Sequence, residues 1–124
     1  MSIRLFIAVV VTMVSFNAYA DGSSTGTSGD QPKTADEWFE QCRGVTPGGY
    51  LACINYARGL ADGLREIEIF GYEHAIVCIP EEVNADQLKD VGQRYLLDKS
   101  AKSRRENTAV ASLTNAFHEA WPCK

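Results

Sequence analysis

The chain has 124 residues, a formal net charge of −4, four cysteines and two histidines. This length suits one small domain, and a domain of this size is expected to need cross-links for stability because its core is modest. An acidic chain is not suited to bind nucleic acid or an anionic membrane by charge alone. Composition therefore argues against a nucleic-acid partner.

The N-terminus has the pattern of a secretory signal peptide. Arg4 supplies the positive charge, Leu5–Val14 form an apolar run, and Ala18–Ala20 is a small-x-small cleavage site. An apolar run of about ten residues is too short to cross a bilayer, which takes about twenty. We expect cleavage after Ala20, a periplasmic location and no membrane attachment of the mature chain. The cysteines of an exported chain meet an oxidising compartment.

Three segments are predicted along the chain. Residues 1–20 are the signal peptide, and residues 21–33, DGSSTGTSGDQPK, read as a flexible polar leader. Residues 34–124 remain as a single helical domain.

Start and stop signals define the first two helices. The first is predicted over Thr34–Arg43, because its first residue forms a capping box with Glu37 and Gly44 can end it. The second is predicted over Thr46–Phe70, with its first residue as the N-cap and Gly71 as the stop.

Two further helices follow from similar signals. Asn84 and Gln87 form a capping box that predicts the start of the third. Ser103 and Glu106 form another, which predicts the start of the fourth, and Pro122 ends it.

Apolar residues at spacings of three and four give every helix one inward face. In helix order, the inward positions are Trp38, Phe39, Cys42; Leu51, Ile54, Ala57, Leu60, Ala61, Leu64, Ile67; Leu88, Val91, Tyr95, Leu96; and Val110, Leu113, Phe117, Trp121. Gly59 and Gly63 make a GxxxG spacing that predicts close helix packing. No strand is convincing. The sequence thus predicts an all-α, compact antiparallel four-helix domain.

The four cysteines allow three disulfide pairings. Loop-closure entropy does not choose among them, because each set stabilises the fold by a similar total. Nearest-neighbour packing favours Cys42 with Cys53, where helices one and two meet, and Cys78 with Cys123, where the start of helix three meets the end of helix four. The spacing gives no CxxC pair, so the cysteines do not predict a zinc site.

Catalytic motifs are missing from the sequence. It contains no GxSxG, HExxH, P-loop or GxGxxG pattern, and oxidised cysteines are not nucleophiles. His118 follows inward-facing Phe117 and is expected at the edge of the buried stripe, while His74 lies in a connection. We therefore predict a protein that is not an enzyme and binds no metal or cofactor.

The order of several short motifs resembles a known family. They are Cys42, the segment ACINYARGLADG at residues 52–63, Cys78-Ile79-Pro80, Gln87-Leu88, Tyr95-Leu96, Ala116-Phe117 and Trp121-Pro122-Cys123. The pattern resembles the Rap/Tai family of type VI secretion immunity proteins, over residues 37–123. One departure is a longer stretch, Glu66–Val77, before the third cysteine.

The resemblance implies a function and its partners. Proteins of this family are periplasmic, all-helical and often dimeric, and they bind and block peptidoglycan amidases injected by neighbouring cells. It therefore implies a cognate amidase toxin as partner, with a homodimer as a second partnership. A periplasmic stress chaperone, or another small helical binding protein, is the alternative hypothesis.

Two connections are the predicted partner-binding surface, Gly71–Val77 and Asp98–Arg105. Polar and basic residue types suited to a polar cleft occur in both, namely Tyr72, His74, Lys99, Lys102 and Arg104. Arg105 adds a fourth basic residue to the second connection. The competing interpretation is that both connections are solvated turns.

Overall fold

A computed structural model describes residues 31–71 and 74–124, so the predicted signal peptide lies outside the described residues. Five helices follow one another there: α1 Ala35–Cys42, α2 Gly49–Ile69, α3 Ala85–Leu97, α4 Ala101–Glu106 and α5 Ala109–Ala120. The same residues form no strand, only two isolated bridges. The predicted all-α class is confirmed, with five helices in place of four. In this part of the chain no helix is long and apolar enough to pass through a membrane.

Helix α1 lies at the centre of the domain and contacts each of the other four helices. Its predicted capping box is present: Thr34 Oγ1 accepts from Glu37 N at 3.2 Å, and a Glu37 carboxylate oxygen accepts from Thr34 N at 3.3 Å. Trp38 is fully buried, and its indole N–H donates to the Cys53 carbonyl oxygen at 3.2 Å. Gly44 has φ +67°, as expected for a helix stop. The indole hydrogen bond thus fixes the orientation of the Trp38 ring in the apolar contact between α1 and α2.

The predicted start of the second helix is wrong. Thr46 is not its N-cap, because Gly48 has φ +77° and interrupts the chain before α2 begins at Gly49. Thr46 instead accepts a backbone hydrogen bond from Gly49 N at 3.0 Å, which closes a turn. A left-handed residue cannot continue an α-helix.

The predicted start of the last helix is also wrong. Ser103 and Glu106 lie inside α4, which is capped by Ser100, and the last helix starts only after its own N-cap, Thr108. The two helices separate because Asn107 adopts an extended conformation between them. The predicted connection over residues 98–105 is therefore mostly helix. By contrast, the capping box at the start of α3 is present as predicted.

Two short backbone bridges close the fold. Thr34 pairs with Thr108, through hydrogen bonds from Ala35 N to Asn107 O at 2.9 Å and from Ala109 N to Lys33 O at 3.0 Å. Lys33 belongs to the predicted leader, and its carbonyl oxygen is thus bonded to the domain. A second bridge joins Val77 to Pro122 near the C-terminus. Both bridges satisfy backbone groups at helix ends, which helices alone leave unpaired.

Most of the predicted inward positions pack in or against the core. Three are wrong: Leu51 is 65% exposed, Ile67 is 42% exposed and Val110 is 47% exposed. Leu51 and Val110 lie in the first turns of their helices, and Ile67 lies in the last turn of α2. Helical spacing identifies the side of a helix, but it does not tell how far along the helix its neighbours extend.

The glycines of the predicted GxxxG pair do not make a close contact. A Cβ added at Gly59 or Gly63 meets no atom within 4 Å. Gly92 of α3 has that role instead, because a Cβ there would lie 2.5 Å from Leu113 Cδ2 and 2.7 Å from Trp38 Cη2. The absence of a side chain at Gly92 allows α3 to approach both α1 and α5.

Both predicted disulfides are present. Cys42 is bonded to Cys53, and Cys78 to Cys123, each with 5.0 Å between the Cα atoms. The first joins α1 to α2, and the second joins the segment before α3 to the chain after α5. Their loops span 11 and 45 residues. A 45-residue loop restricts the unfolded chain more than an 11-residue loop does.

The glycine analysis gives a first prediction. Gly92→Ala should lower the free energy of unfolding by about 1–3 kcal/mol, because the methyl group forces Trp38 or Leu113 to shift. Gly59→Ala, the matched helical control, should raise it by about 0.5–1 kcal/mol, because alanine loses less backbone entropy and has free space. Urea denaturation of both variants measures the difference. Equal stability of the two variants would contradict the packing at Gly92.

The disulfides give a second prediction. The double variant Cys78→Ser with Cys123→Ser should lose about 4 kcal/mol of unfolding free energy, because the unfolded chain gains the entropy of a long loop. Non-reducing peptide mapping of the wild type should yield only the two pairs described. A peptide joining Cys53 to Cys78 would overturn the pairing.

Candidate partner-binding surfaces

The described residues contain no cluster of metal-ligating side chains. No group of three or more His, Cys, Asp or Glu side chains in them could hold a metal ion, and all four cysteines are oxidised. Perturbed titratable groups occur instead where α2 meets α3. The Tyr50 hydroxyl donates to Asp86 Oδ1 at 2.8 Å, and this hydrogen bond is the main cause that raises the pKa of Tyr50. The contact is exposed and links two helix starts.

The end of the predicted Gly71–Val77 connection is firmly attached. The Ile76 carbonyl oxygen accepts from Cys123 N at 3.3 Å and lies 2.7 Å from His118 Nδ1. Because a carbonyl oxygen only accepts, His118 Nδ1 must carry the proton. His118 is exposed, in line with its expected position at the edge of the buried stripe. The structure therefore holds this connection against the C-terminus at its Val77 end.

The structure describes only one of the two predicted contact residues of this connection. His74 is exposed and belongs to a turn. Tyr72 lies outside the described residues, so its contacts stay a prediction.

Arg104, predicted to contact a partner, is engaged within the domain. Its guanidinium Nε donates to Asp36 Oδ1 at 2.9 Å, and Nη1 donates to the carbonyl oxygens of Leu96 and Lys99 at 3.3 and 2.9 Å. It also lies 4.6 Å from the centre of the Phe39 ring. The side chains of the ion pair are only 16% and 24% exposed, so solvent screens it weakly. Arg104 thus connects α4 to α1 and to the end of α3.

The two lysines of the predicted basic surface are more accessible. Lys99 Nζ lies 4.5 Å from the centre of the Tyr95 ring, and Lys102 pairs with Glu106 at 3.8 Å on the exposed side of α4. Lys99 also lines a groove of about 280 Å³ between α3 and α5. This groove carries mixed charge, with Arg94, Tyr95, Asp98 and Glu119 among its other lining residues.

Arg65 was missed by the sequence analysis. It lies half-buried in α2, and its guanidinium donates to the carbonyl oxygens of Pro80 at 2.8 Å and Val83 at 3.3 Å. Its Nη1 also lies 3.5 Å from Asp62 Oδ1. A signal was available, because Arg65 lies four residues after buried Ala61 and so shares its face. A cation on an inward face indicates a structural hydrogen-bonding role.

A second groove lies beside Arg65, where the end of α2 meets the segment before α3. It has a volume of about 350 Å³ and is lined by Arg65, Glu68, Ile69, Cys78, Ile79, Pro80 and Glu81. Ile69 and Phe70, at the end of α2, are 73% and 71% exposed. This groove therefore combines exposed apolar and acidic side chains next to the Gly71–Val77 connection.

These features define a small helical domain that is cross-linked at two places. The family model described as Rap1a immunity proteins matches residues 34–123. The chain belongs to the Rap1a immunity protein family, and the resemblance found in its motifs is confirmed. No curated protein and no solved structure matches it significantly.

The contacts of Arg104 give a third prediction. Arg104→Ala should lower the free energy of unfolding by about 1–3 kcal/mol, because the Asp36 carboxylate and the Lys99 carbonyl oxygen lose the guanidinium as their donor. Arg105→Ala, an exposed neighbour on the same helix, should change it by less than about 0.5 kcal/mol. Thermal and urea unfolding measure both. Equal stability would mean that the Arg104 contacts contribute nothing.

Proposed function

We propose that this protein is a periplasmic immunity protein of the type VI secretion system, which binds and inhibits a peptidoglycan amidase toxin and so protects the producing cell and its kin. The observation that carries the proposal is the family match over residues 34–123. An immunity protein acts by binding a toxin, so it needs a stable surface and no reaction of its own.

The location belongs to the same proposal. Two disulfides suit an oxidising compartment. Residues 1–20 have the signal-peptide pattern, and residues 21–33 are the proposed leader before a binding domain at 34–124. A peptidoglycan amidase meets its substrate in the periplasm, so an inhibitor has to be exported there.

Inhibition is proposed to occur by occlusion of the amidase cleft. A connection held at its end by a bridge and a disulfide loses less conformational entropy on binding than a free loop does. Gly71–Val77 has this support at Val77 and Cys78. Its residues Tyr72 and His74 are proposed to contact the toxin. The homodimer implied by the family resemblance remains a proposed second partnership.

Lys99 and Lys102 form the second proposed contact. Their ammonium groups are available to a partner, since the ion pair of Lys102 is exposed and long and Lys99 only faces a tyrosine ring. Arg104 is left out of this contact because its guanidinium binds Asp36. The two lysines can be changed without removing that internal ion pair.

The proposed function gives a fourth prediction. Cells that export the cognate amidase to their periplasm should lyse, and co-expression of this protein should prevent lysis. The purified proteins should form a stable complex with a nanomolar Kd, which corresponds to a binding free energy of about −12 kcal/mol. Calorimetry measures the affinity, and turbidity of the culture measures protection. If the wild type neither binds nor protects, the assignment to an amidase is wrong.

The same assay tests the lysine surface. The charge-reversed variant Lys99→Glu with Lys102→Glu should weaken the complex and reduce protection if these lysines contact the toxin. Arg58→Glu, at an exposed arginine of α2 outside both predicted connections, is the control for charge. Full protection by a folded lysine variant would remove this surface from the interface and leave the immunity function intact.

A further inference from the structure

The last turn of α2 and its C-cap lie outside the core. Leu64 and Arg65 are the last half-buried residues of α2, and every residue of Glu66–Phe70 is exposed. We call Glu66–Phe70 the projecting end of α2.

The projecting end is apolar to an unusual degree for an exposed turn. Ile69 is 73% exposed, Phe70 is 71% exposed and Ile67 is 42% exposed. Successive helix residues are about 100° apart, so these three side chains fall within an arc of about 160°, on the side of α2 opposite its buried residues Ala57 and Ala61. The core of the domain lies on the other side of α2 and leaves them uncovered. Clustered apolar side chains in water are typical of a surface that another protein covers.

The projecting end is also well ordered by local bonds. Phe70 N donates to Glu66 O and Gly71 N donates to Glu68 O, both at 3.0 Å. Gly71 has φ +64°, which ends the helix cleanly. Directly before this turn, Arg65 ties α2 to the carbonyl oxygen of Pro80. The apolar side chains are therefore presented on a fixed helical turn, so little entropy is lost when they are buried.

Acidic side chains surround this apolar turn. Glu66, Glu68, Glu81 and Glu82 are exposed, and within the described ranges none of them forms an ion pair. Glu68 and Glu81 line the same groove as Ile69. A complementary surface would offer an apolar pocket with lysine or arginine side chains at its rim. A second copy of this chain would bring four carboxylates against four others, and like charges repel.

We propose that the projecting end of α2 is an anchor for the cognate toxin: Ile69 and Phe70 fill an apolar pocket of the toxin, and Glu68 and Glu81 meet basic residues around it. This inference rests on the proposed function and adds the chemistry of the partner surface to it. The Gly71–Val77 connection follows directly in the chain, so the anchor would place that connection on the toxin as well.

The test compares variants of the projecting end with control variants at matched positions on other helices. Ile69 and Leu97 are the last residues of α2 and α3, and they are 73% and 66% exposed. The double variant Ile69→Ser with Phe70→Ser should weaken toxin binding about 100-fold or more, since two buried apolar side chains are lost. Ile69→Ser alone should weaken it about tenfold, and Leu97→Ser should stay within about twofold of the wild type.

A charge reversal independently tests the role of the acidic side chains around the apolar turn. Glu68 and Glu119 are each the next-to-last residue of their helix, α2 and α5, and both are exposed. Glu68→Lys should weaken binding about tenfold at low salt, with a smaller loss at high salt, whereas Glu119→Lys should have little effect. Circular dichroism and thermal unfolding establish that all variants remain folded.

The outcomes separate the anchor from the proposed function. If the wild-type protein binds the toxin and Ile69→Ser with Phe70→Ser binds equally well, the anchor proposal is wrong while the immunity function stands. If this variant turns a wild-type dimer into a monomer in sedimentation and leaves toxin affinity unchanged, the projecting end is a self-association surface and the proposal is again wrong. Absence of wild-type binding would refute the amidase assignment itself.

Discussion

The fold depends on the placement of one side chain, the indole of Trp38. It is fully buried in α1, its N–H bonds the Cys53 carbonyl oxygen of α2, and its ring lies against the backbone of Gly92 in α3. Leu113 of α5 meets the same place. An eight-residue helix cannot be stable alone, so α1 exists because three other helices pack around this ring. The Cys42 disulfide holds α1 in that position one turn later.

Local signals could be read from the sequence because their partners are near in the chain. The capping boxes at Thr34 and Asn84 need only residues three positions away, and both are present. Ser103 and Glu106 have the same spacing, but they lie inside α4. This helix ends at the extended Asn107, whose carbonyl oxygen accepts from Ala35 N, far away in the chain, and a new helix follows. A pattern of four residues does not contain that information. Tertiary contacts decided which of several equivalent signals became a helix start.

The binding surfaces were harder to predict for the same reason. Charge alone marked Arg104 as a surface residue, but Asp36, its partner, is 68 positions away in the chain. Hydrophobic spacing marked Ile67 as buried, because the pattern does not show that the last turn of α2 has no neighbour to cover it. The role of each of these residues depends on what lies beside it in the fold. The cysteine pairing was predictable because it followed from which helix ends are neighbours.

The two disulfides support different parts of the molecule. Cys42–Cys53 secures the central helix, whereas Cys78 lines the groove beside the projecting end of α2. Arg65 bonds the segment that follows Cys78, so a disulfide and a guanidinium fix the two sides of that groove. A surface that exposes apolar side chains is costly in water unless its shape is preserved for a partner. The Cys78–Cys123 disulfide and the Arg65 guanidinium both hold the segment beside the exposed apolar end of α2, which is the arrangement expected of a preorganised binding surface.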